Sequence, residues 1–200
     1  MASAVAAAAS GGKPALLLLR RVDATFAAAL RACFRVRDFY ASGAPLPAFL
    51  AAAAADPDPA RAALVAAGGV ALVDGAFLDA VPSLRFVVTT SAGVEHVDLA
   101  ECKRRGVAVA GAGTIFSADV ADHAVGLLID VLRRVSAADR YIRQGLWPAR
   151  GDYPLGSKLG GKRVSIIGLG SIGSLIAKRL EAFGCVISYH SRGPKNSVPY

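Results

Sequence analysis

A glycine-rich turn between a predicted strand and a predicted helix limits the fold of this chain more than any other feature. Arg163–Gly168 is a short apolar run of the kind that forms a buried strand, and apolar residues recur at helical spacing over Ser171–Phe183. The turn between them has the spacing Gly-x-Gly-x-x-Gly over Gly168–Gly173, and Cys185–His190 predicts a second strand. This order predicts the first strand–helix–strand of a Rossmann dinucleotide-binding domain.

Each glycine of this turn has its own reason to lack a side chain. Gly168 permits the tight turn, Gly170 leaves room for a pyrophosphate beside the backbone, and Gly173 lets the helix pack closely on the strand. The helix N-terminus offers free N–H groups and a positive dipole end to the phosphates. The alternative is a helix–sheet turn that holds no ligand. The predicted cofactor-binding residues are Gly168, Leu169, Gly170, Ser171, Ile172 and Gly173.

The end of the second predicted strand indicates which dinucleotide is preferred. NAD-binding units place an Asp or Glu there, about 20 residues after the glycines, to bind the ribose hydroxyls. Here the last acidic residue is Glu181, within the predicted helix, and the strand is followed by Ser191, Arg192 and Gly193. A hydroxyl and a guanidinium, with Lys195 as a further cation, suit a 2′-phosphate. The sequence therefore predicts NADP as the cofactor, with a merely solvated turn as the alternative.

The first 110 residues alternate short apolar segments with alanine-rich helical ones, which is typical of a parallel sheet covered on both faces. The predicted strands are Ala15–Leu19, Phe34–Phe39, Val70–Val73, Phe86–Thr89 and Val107–Ala110. The predicted helices lie at 23–32, 45–54, 57–66 and 98–104. Five such units predict an α/β fold with a flavodoxin-like, doubly wound sheet.

A long helical pattern follows this first domain. Apolar residues recur at helical spacing over Ser117–Gln144, with Ser117 as the predicted N-cap and Gly145 as the predicted stop. A Gly/Pro-rich connector, Gly145–Gly161, then leads to the glycine turn. Residues 14–113 are therefore expected to form one domain, and residues 114–200 a crossover helix and an incomplete NADP-binding domain. The Ala/Ser/Gly-rich residues 1–13 predict a disordered tail, with an organellar targeting segment as the alternative.

Composition excludes several classes of protein. The net charge of +8 arises in residues 101–200, but no Lys/Arg block is longer than Lys103–Arg105, so a nucleotide phosphate is a simpler partner than a nucleic acid. No apolar run approaches the roughly 18 residues that span a bilayer, so we expect a soluble protein without a membrane partner. Three dispersed cysteines without CxxC spacing favour a reducing, cytoplasmic location, buried thiols and no metal site.

Two competing motifs are incomplete. Gly156–Lys162 has the spacing of a P-loop, but Arg163 stands where a P-loop needs Ser or Thr, and the segment precedes a strand instead of following one. The Tyr-x-x-x-Lys pair of short-chain dehydrogenases is missing, because neither Tyr141 nor Tyr153 is followed by lysine four residues later. Neither class is therefore supported.

Three segments in order resemble the D-2-hydroxyacid dehydrogenases, particularly the plant glyoxylate/hydroxypyruvate and hydroxyphenylpyruvate reductases. They are Thr89–Asp98, Val120–Leu128 and Gly168–Gly173, and the similarity covers about residues 14–200. The resemblance implies that residues 14–113 form the substrate domain, where the backbone amides of Ala92 and Gly93 hold the substrate carboxylate. It further implies a homodimeric oxidoreductase that uses NADPH to reduce small 2-oxo acids, such as glyoxylate, hydroxypyruvate or hydroxyphenylpyruvate, to 2-hydroxy acids.

The resemblance also implies that no catalytic residue lies within the chain, since the family's catalytic Arg, Glu and His are expected beyond Tyr200. The three histidines do not replace them: His96 is predicted to be a solvated loop residue, His123 lies in the long helix and His190 ends a strand. We therefore expect the 200-residue chain to be inactive alone. The alternative function is a catalytically dead, truncated isoform that binds nucleotide or dimerises.

Overall fold

The computed structural model describes residues 12–195 and 200, so most of the predicted tail lies outside the described residues. The chain divides into two compact units, of which the first ends at Gly113 and the second begins at Thr114. Within residues 12–113 the strands are β1 (Ala15–Leu18), β2 (Arg35–Asp38), β3 (Ala62–Val65), β4 (Phe86–Thr89) and β5 (Ala108–Ala110). The helices of this unit are α1 (Ala24–Cys33), α2 (Phe39–Ser42), α3 (Leu46–Ala54), α4 (Gly75–Ala80) and α5 (Leu99–Arg104).

The sheet of the first unit is entirely parallel, with the strand order β2-β1-β3-β4-β5. This is the flavodoxin-like order, so the predicted fold class is confirmed. The interior strand β1 is buried on both faces: Leu17 packs in a cluster with residues of α3, α4 and α5, whereas Leu16 and Leu18 pack in a second cluster with Leu30 of α1. Because helices cover both faces, β1 has no polar side chain.

The third strand is not where the sequence predicts it. A helix at 57–66 and a strand at Val70–Val73 are both wrong, because β3 occupies Ala62–Val65. Alanine favours helices, but Ala63 and Val65 are almost completely buried. Ala63 pairs with β1 on one side and β4 on the other, and Val65 pairs with β4. Val73 makes only an isolated parallel bridge to Val97. Sheet pairing and burial therefore override the local helical preference.

The second unit contains the predicted strand–helix–strand. Its elements are α6 (Ser117–Arg133), α7 (Val135–Arg143), α8 (Leu146–Arg150), β6 (Arg163–Ile167), α9 (Ser171–Glu181) and β7 (Val186–His190). β6 and β7 pair in parallel, from Arg163 beside Val186 to Ile167 beside His190. The prediction that this part begins a Rossmann fold is confirmed.

The predicted single helix over Ser117–Gln144 is two helices. Arg134 adopts a left-handed conformation with φ 56° and separates α6 from α7. The Asp130 carboxylate accepts hydrogen bonds from Ser136 N at 2.6 Å and Ser136 Oγ at 2.7 Å, and these bonds lower the pKa of Asp130. Ser117 is also not the N-cap, because it is the first helical residue and follows Phe116. The Asp130 carboxylate, in the last turns of α6, thus binds a free N–H at the start of α7 and stabilises it.

Helix α6 packs on α9, which positions the helix that follows the glycine turn. Arg179 of α9 contacts the Asp122 carboxylate of α6 at 2.5 Å and also donates to the carbonyl of Ala118. Beside this ion pair, Val125 and Leu180 form a buried apolar cluster with Leu159. This contact combines apolar burial with a charge-assisted hydrogen bond. It fixes the C-terminal part of α9 and leaves the N-terminus of the helix open.

The structure also bears on the sequence-based expectations for the three cysteines, for membrane-spanning helices and for metal sites. Cys102 is buried and Cys185 half-buried, but Cys33 is exposed, so the prediction of three buried thiols is wrong for Cys33. None of the helices in the described part of the chain is long and apolar enough to cross a membrane. Residues 12–195 and 200 contain no group of three or more His, Cys, Asp or Glu side chains that could hold a metal ion.

Candidate functional site

The glycine turn joins β6 to α9 and is tied to the next strand by its backbone. Gly168 has φ 96°, a conformation that favours glycine, and its N–H donates to the carbonyl of His190 at 2.8 Å. Gly170 occupies the N-cap position of α9 and has no side chain to bond the first amides of the helix. Those N–H groups lack intrahelical acceptors, so they are available to an anion.

Gly170 and Gly173 differ in what a side chain would meet. A Cβ on Gly173 would collide with the carbonyl oxygen of Gly168 and lie 3.3 Å from Cγ2 of Ile166. A Cβ on Gly170 would meet no atom within 4 Å. Gly173 is therefore required for close packing of the helix on the strand, whereas the protein itself leaves the space beside Gly170 open.

A cleft of about 550 Å³ lies between the glycine turn and the end of β7. Six of the nine predicted cofactor-binding residues line it: Gly168, Leu169, Gly170, Ser191, Arg192 and Gly193. Ser171, Ile172 and Gly173 lie in the first turn of α9 and do not line the cleft. The side chain of Leu169 is buried, so this residue offers only its backbone.

The wall of this cleft opposite the glycine turn is basic. His190, Ser191, Arg192 and Lys195 line it, and no lining residue is acidic. The Ser191 hydroxyl donates to the carbonyl of Gly193 at 2.5 Å, and the N–H of Lys195 donates to the hydroxyl of Tyr189 at 3.0 Å. The turn is thereby ordered while the Arg192 and Lys195 side chains are exposed. Two cations in an open cleft provide charge for a phosphate.

The predicted substrate loop lies in the first unit, directly after β4. Ser91 fixes it at three points: its N–H donates to Thr89 Oγ1 at 3.2 Å, its hydroxyl accepts from Ala67 N at 2.8 Å, and its carbonyl accepts from Ala112 N at 3.1 Å. Within the described residues, the N–H groups of Ala92 and Gly93 have no acceptor. The loop is held in place and has two free amides, but the Glu95 carboxylate lies against Gly93, where a Cβ would collide with it. This loop can bind a substrate carboxylate once the Glu95 side chain has moved aside.

His96 supports this loop, and its predicted solvated position is wrong. The residue is 7% exposed, and its Nε2 lies 2.8 Å from the hydroxyl of Thr89, which is 1% exposed. The same Thr89 hydroxyl accepts from Ser91 N, so it links the His96 ring to the start of the loop. Nδ1 is buried without a partner among the described residues. Sequence patterns around His96 gave no signal of this burial.

The other two histidines are exposed, His123 on α6 and His190 at the end of β7. Of the three, only His190 lines the dinucleotide cleft. In the part of the chain that the structure describes, no histidine forms an ion pair with a carboxylate. None of them thus has the carboxylate-oriented arrangement of a general acid.

We predict that Thr89→Val destabilises the first unit by about 1–3 kcal/mol, because it leaves His96 Nε2 and Ser91 N without their buried partner. Urea unfolding followed by circular dichroism measures the change. Thr25→Val, an exposed substitution of the same kind on α1, is the matched control and should have little effect. Equal stability of the two variants would show that the Thr89 hydroxyl does not support the loop.

Comparison with known families supports the assignment of the second unit. Residues 125–199 match the family described as D-isomer specific 2-hydroxyacid dehydrogenase, NAD binding domain. This range contains the glycine turn, α9 and β7, so all lining residues of the cleft belong to a nicotinamide dinucleotide-binding domain.

The chain is also similar to individual curated proteins. It is 60% identical over 138 residues to a glyoxylate/hydroxypyruvate reductase of Arabidopsis thaliana, which covers 69% of this chain and 42% of the relative. It is 46% identical over 127 residues to a hydroxyphenylpyruvate reductase of Plectranthus scutellarioides, with 64% and 40% covered. The match thus spans about 40% of the length of these relatives.

Solved structures agree with these similarities. The 2-hydroxyacid dehydrogenase from Ketogulonicigenium vulgare Y25 has a TM-score of 0.82 and 32% identity, with 94% of this chain and 57% of that chain covered. An NADPH-dependent glyoxylate/hydroxypyruvate reductase from Sinorhizobium meliloti, solved with NADP and malonate, has a TM-score of 0.78 and 30% identity, with 94% and 56% covered. Residues 125–199 therefore belong to the NAD-binding domain family of the D-isomer specific 2-hydroxyacid dehydrogenases, and the chain as a whole is similar to these enzymes in sequence and in fold.

Proposed function

We propose that this chain functions in the NADPH-dependent reduction of small 2-oxo acids, such as glyoxylate, hydroxypyruvate and hydroxyphenylpyruvate, to 2-hydroxy acids. The observation that carries the proposal is the cleft of about 550 Å³ between the glycine turn and a basic, acid-free strand end. Its open space at Gly170 and the free amides of α9 fit a pyrophosphate. The relatives named as glyoxylate/hydroxypyruvate reductases support the same substrate class.

In this proposal the second unit binds the cofactor and the first unit binds the substrate carboxylate. Gly168–Gly173 bind the pyrophosphate, and Ser191, Arg192 and Gly193 bind the adenosine ribose and its 2′-phosphate. The free amides of Ala92 and Gly93 bind the substrate carboxylate, which orients the oxo group. When bound, NADPH supplies the hydride. No histidine among the described residues forms an ion pair with a carboxylate, and the roles proposed for the residues named here are binding and orientation.

NADP, not NAD, is our proposal for the cofactor. An NAD site needs a carboxylate at the end of β7, and no acidic residue lines the cleft there. Arg192 offers a planar, bidentate donor to a phosphate, and Lys195 adds a second positive charge. The Ser191 hydroxyl donates to the carbonyl of Gly193. It can donate to the 2′-phosphate after that bond breaks, or it can accept a hydrogen bond from a ribose hydroxyl while that bond remains.

We also propose that the chain forms a homodimer through α6, α7 and the segment that follows. Exposed large apolar side chains concentrate there, and they include Val131 at 74%, Trp147 at 56% and Leu155 at 92% exposure. Exposed apolar surface of this extent is typical of a protein interface. The cytoplasmic location expected from the cysteines stays a prediction.

The first expected outcome concerns cofactor selectivity. Arg192→Ala should weaken NADPH binding by on the order of 1.5–3 kcal/mol, the value of a lost charged hydrogen bond, and leave NADH binding nearly unchanged. Fluorescence titration with both cofactors measures this difference. Arg163→Ala, at the opposite end of β6, is the matched control. Equal losses for NADPH and NADH would contradict the assignment of the 2′-phosphate to Arg192.

The second expected outcome concerns the two glycines of the glycine turn that differ in their surroundings. Gly170→Val should abolish NADPH binding while the unfolding midpoint stays close to wild type, because the new side chain enters only the space that the pyrophosphate needs. Gly173→Val should instead destabilise the second unit, because its Cβ collides with the carbonyl of Gly168. NADPH titration and thermal unfolding of both variants separate these effects. Tight NADPH binding by Gly170→Val would mean that the turn is only structural.

The third tests binding against catalysis in the chain itself. The 200-residue chain should bind NADPH yet show no measurable oxidation of it with glyoxylate or hydroxypyruvate. The physical reason is that carbonyl reduction needs an oriented proton donor. His190, the one histidine among the described residues that lines the cleft, forms no ion pair with a carboxylate there. Absorbance at the NADPH band, with host reductases excluded, measures turnover. Steady turnover would refute the missing donor, and failure to bind NADPH would refute the proposed function.

A further inference from the structure

We propose that Arg20 and Arg21 form a subsite for a second anionic group, so that the substrates include 2-oxo acids with an additional carboxylate or phosphate. This inference rests on the proposed function and extends its substrate class to 2-oxo acids with a second anionic group. A cleft of about 400 Å³ lies in the first unit, where β1, β3 and β4 end. Arg20, Arg21 and Tyr40 line it together with residues 66–69 and with Thr90 and Ser91.

Arg20 brings a fixed positive charge to this cleft. It is half-buried, its Nε donates to the carbonyl of Arg21 at 2.9 Å, and its Nη1 donates to Thr90 Oγ1. These bonds use only part of the donor capacity of a guanidinium, which has five N–H groups. A partly desolvated charge is costly without a counter-ion, so a bound anion would stabilise this arrangement.

Arg21 is fixed beside it by an aromatic ring. Its guanidinium carbon lies 4.2 Å from the centroid of Tyr40, a cation–π distance. Tyr40 is itself placed by the start of α2, where its N–H donates to the Asp38 carboxylate at 3.0 Å. Stacking leaves the edge of the guanidinium free, and this edge carries the donors that bind carboxylates and phosphates in pairs.

The two charges are not compensated by the protein. Within the described residues, neither Arg20 nor Arg21 forms an ion pair, whereas five other arginines of the same unit do. Those paired arginines are Arg31, Arg35, Arg37, Arg104 and Arg105. Two adjacent guanidinium groups in one cleft repel each other, and a dianionic ligand would remove that repulsion.

The floor of the cleft leaves room for such a ligand. Residues 66–69 form a turn, in which Gly69 N donates to the carbonyl of Ala66 at 3.1 Å and Gly68 has φ 68°. No side chain in this turn is larger than a methyl group. The amide of Ala67 donates to Ser91 Oγ, so the floor is joined to the loop that holds Ala92 and Gly93.

The position of Arg20 and Arg21 beside that loop indicates that the substrate carries two anionic groups. Ser91 lines the cleft together with Arg20 and Arg21, and the free amides of Ala92 and Gly93, proposed to bind the carboxylate next to the oxo group, follow it directly in the chain. A substrate with one carboxylate would leave the arginine pair without a counter-ion. A 2-oxo acid with a second anionic group would satisfy both positions.

The test is calorimetric titration of the 200-residue chain with four probes. 2-Oxoglutarate carries a second carboxylate, 3-phosphohydroxypyruvate carries a phosphate, and pyruvate and hydroxypyruvate carry one carboxylate each. We expect the two doubly charged probes to bind at least about tenfold more tightly than the others, as one added charge-assisted hydrogen bond would produce. Comparison of the two doubly charged probes shows which anion the subsite prefers.

Substitutions of single arginines test whether the doubly charged probes bind at Arg20 and Arg21. Arg20→Gln and Arg21→Gln should each remove the preference for the doubly charged probes and leave pyruvate binding unchanged. Arg61→Gln is the matched control, since Arg61 also lacks an ion pair among the described residues but precedes β3, at the opposite end of the strand from the cleft. Circular dichroism and urea unfolding check folding, and the exposed Arg21 provides a variant that does not disturb packing.

Equal binding of singly and doubly charged probes, or Arg20 and Arg21 variants that behave like Arg61→Gln, would overturn the subsite. NADPH titration of the same samples keeps the two proposals separate. Binding of NADPH without binding of any 2-oxo acid overturns the subsite alone. Arginine-dependent binding of the doubly charged probes without binding of NADPH supports the subsite and contradicts the proposed function.

Discussion

Parallel pairing with helices on both faces is the constraint on which this structure depends. In the first unit, β1 pairs with β2 and β3, and its leucines are buried in opposite clusters. The backbone N–H and C=O groups of such a strand are hydrogen-bonded to its neighbours, so free polar groups occur only beyond its ends, where the strand pairing stops. The carboxyl ends of all strands in a parallel sheet lie at one edge, so loops at that edge collect unpaired amides and side chains.

Both candidate sites follow from this constraint. In the first unit, the free amides of Ala92 and Gly93 and the cleft with Arg20 and Arg21 lie where β1, β3 and β4 end. In the second unit, the glycine turn and the basic turn with Arg192 follow β6 and β7. In each case a buried scaffold fixes a polar loop, which reduces the entropy that a ligand would otherwise lose on binding.

The glycine turn shows how one motif combines a structural and a binding role. Gly173 is required by the protein alone, because the carbonyl of Gly168 occupies the space of a Cβ. Gly170 faces open space, so nothing in the packing of the protein explains the missing side chain. The proposed pyrophosphate would use this space, and the free amides of α9 lie at the same place.

The sequence alone determined the α/β fold class, the strand–helix–strand with its glycine turn and the absence of an acid at the end of β7, because these depend on local periodicity and residue type. Tertiary structure decided what depends on distant partners. Ala62–Val65 is a strand only because β1 and β4 flank it, and His96 is buried where the fold brings its ring against the Thr89 hydroxyl. The cleft of Arg20 and Arg21 likewise requires three strand ends to meet, since no spacing in the sequence brings those residues to Thr90.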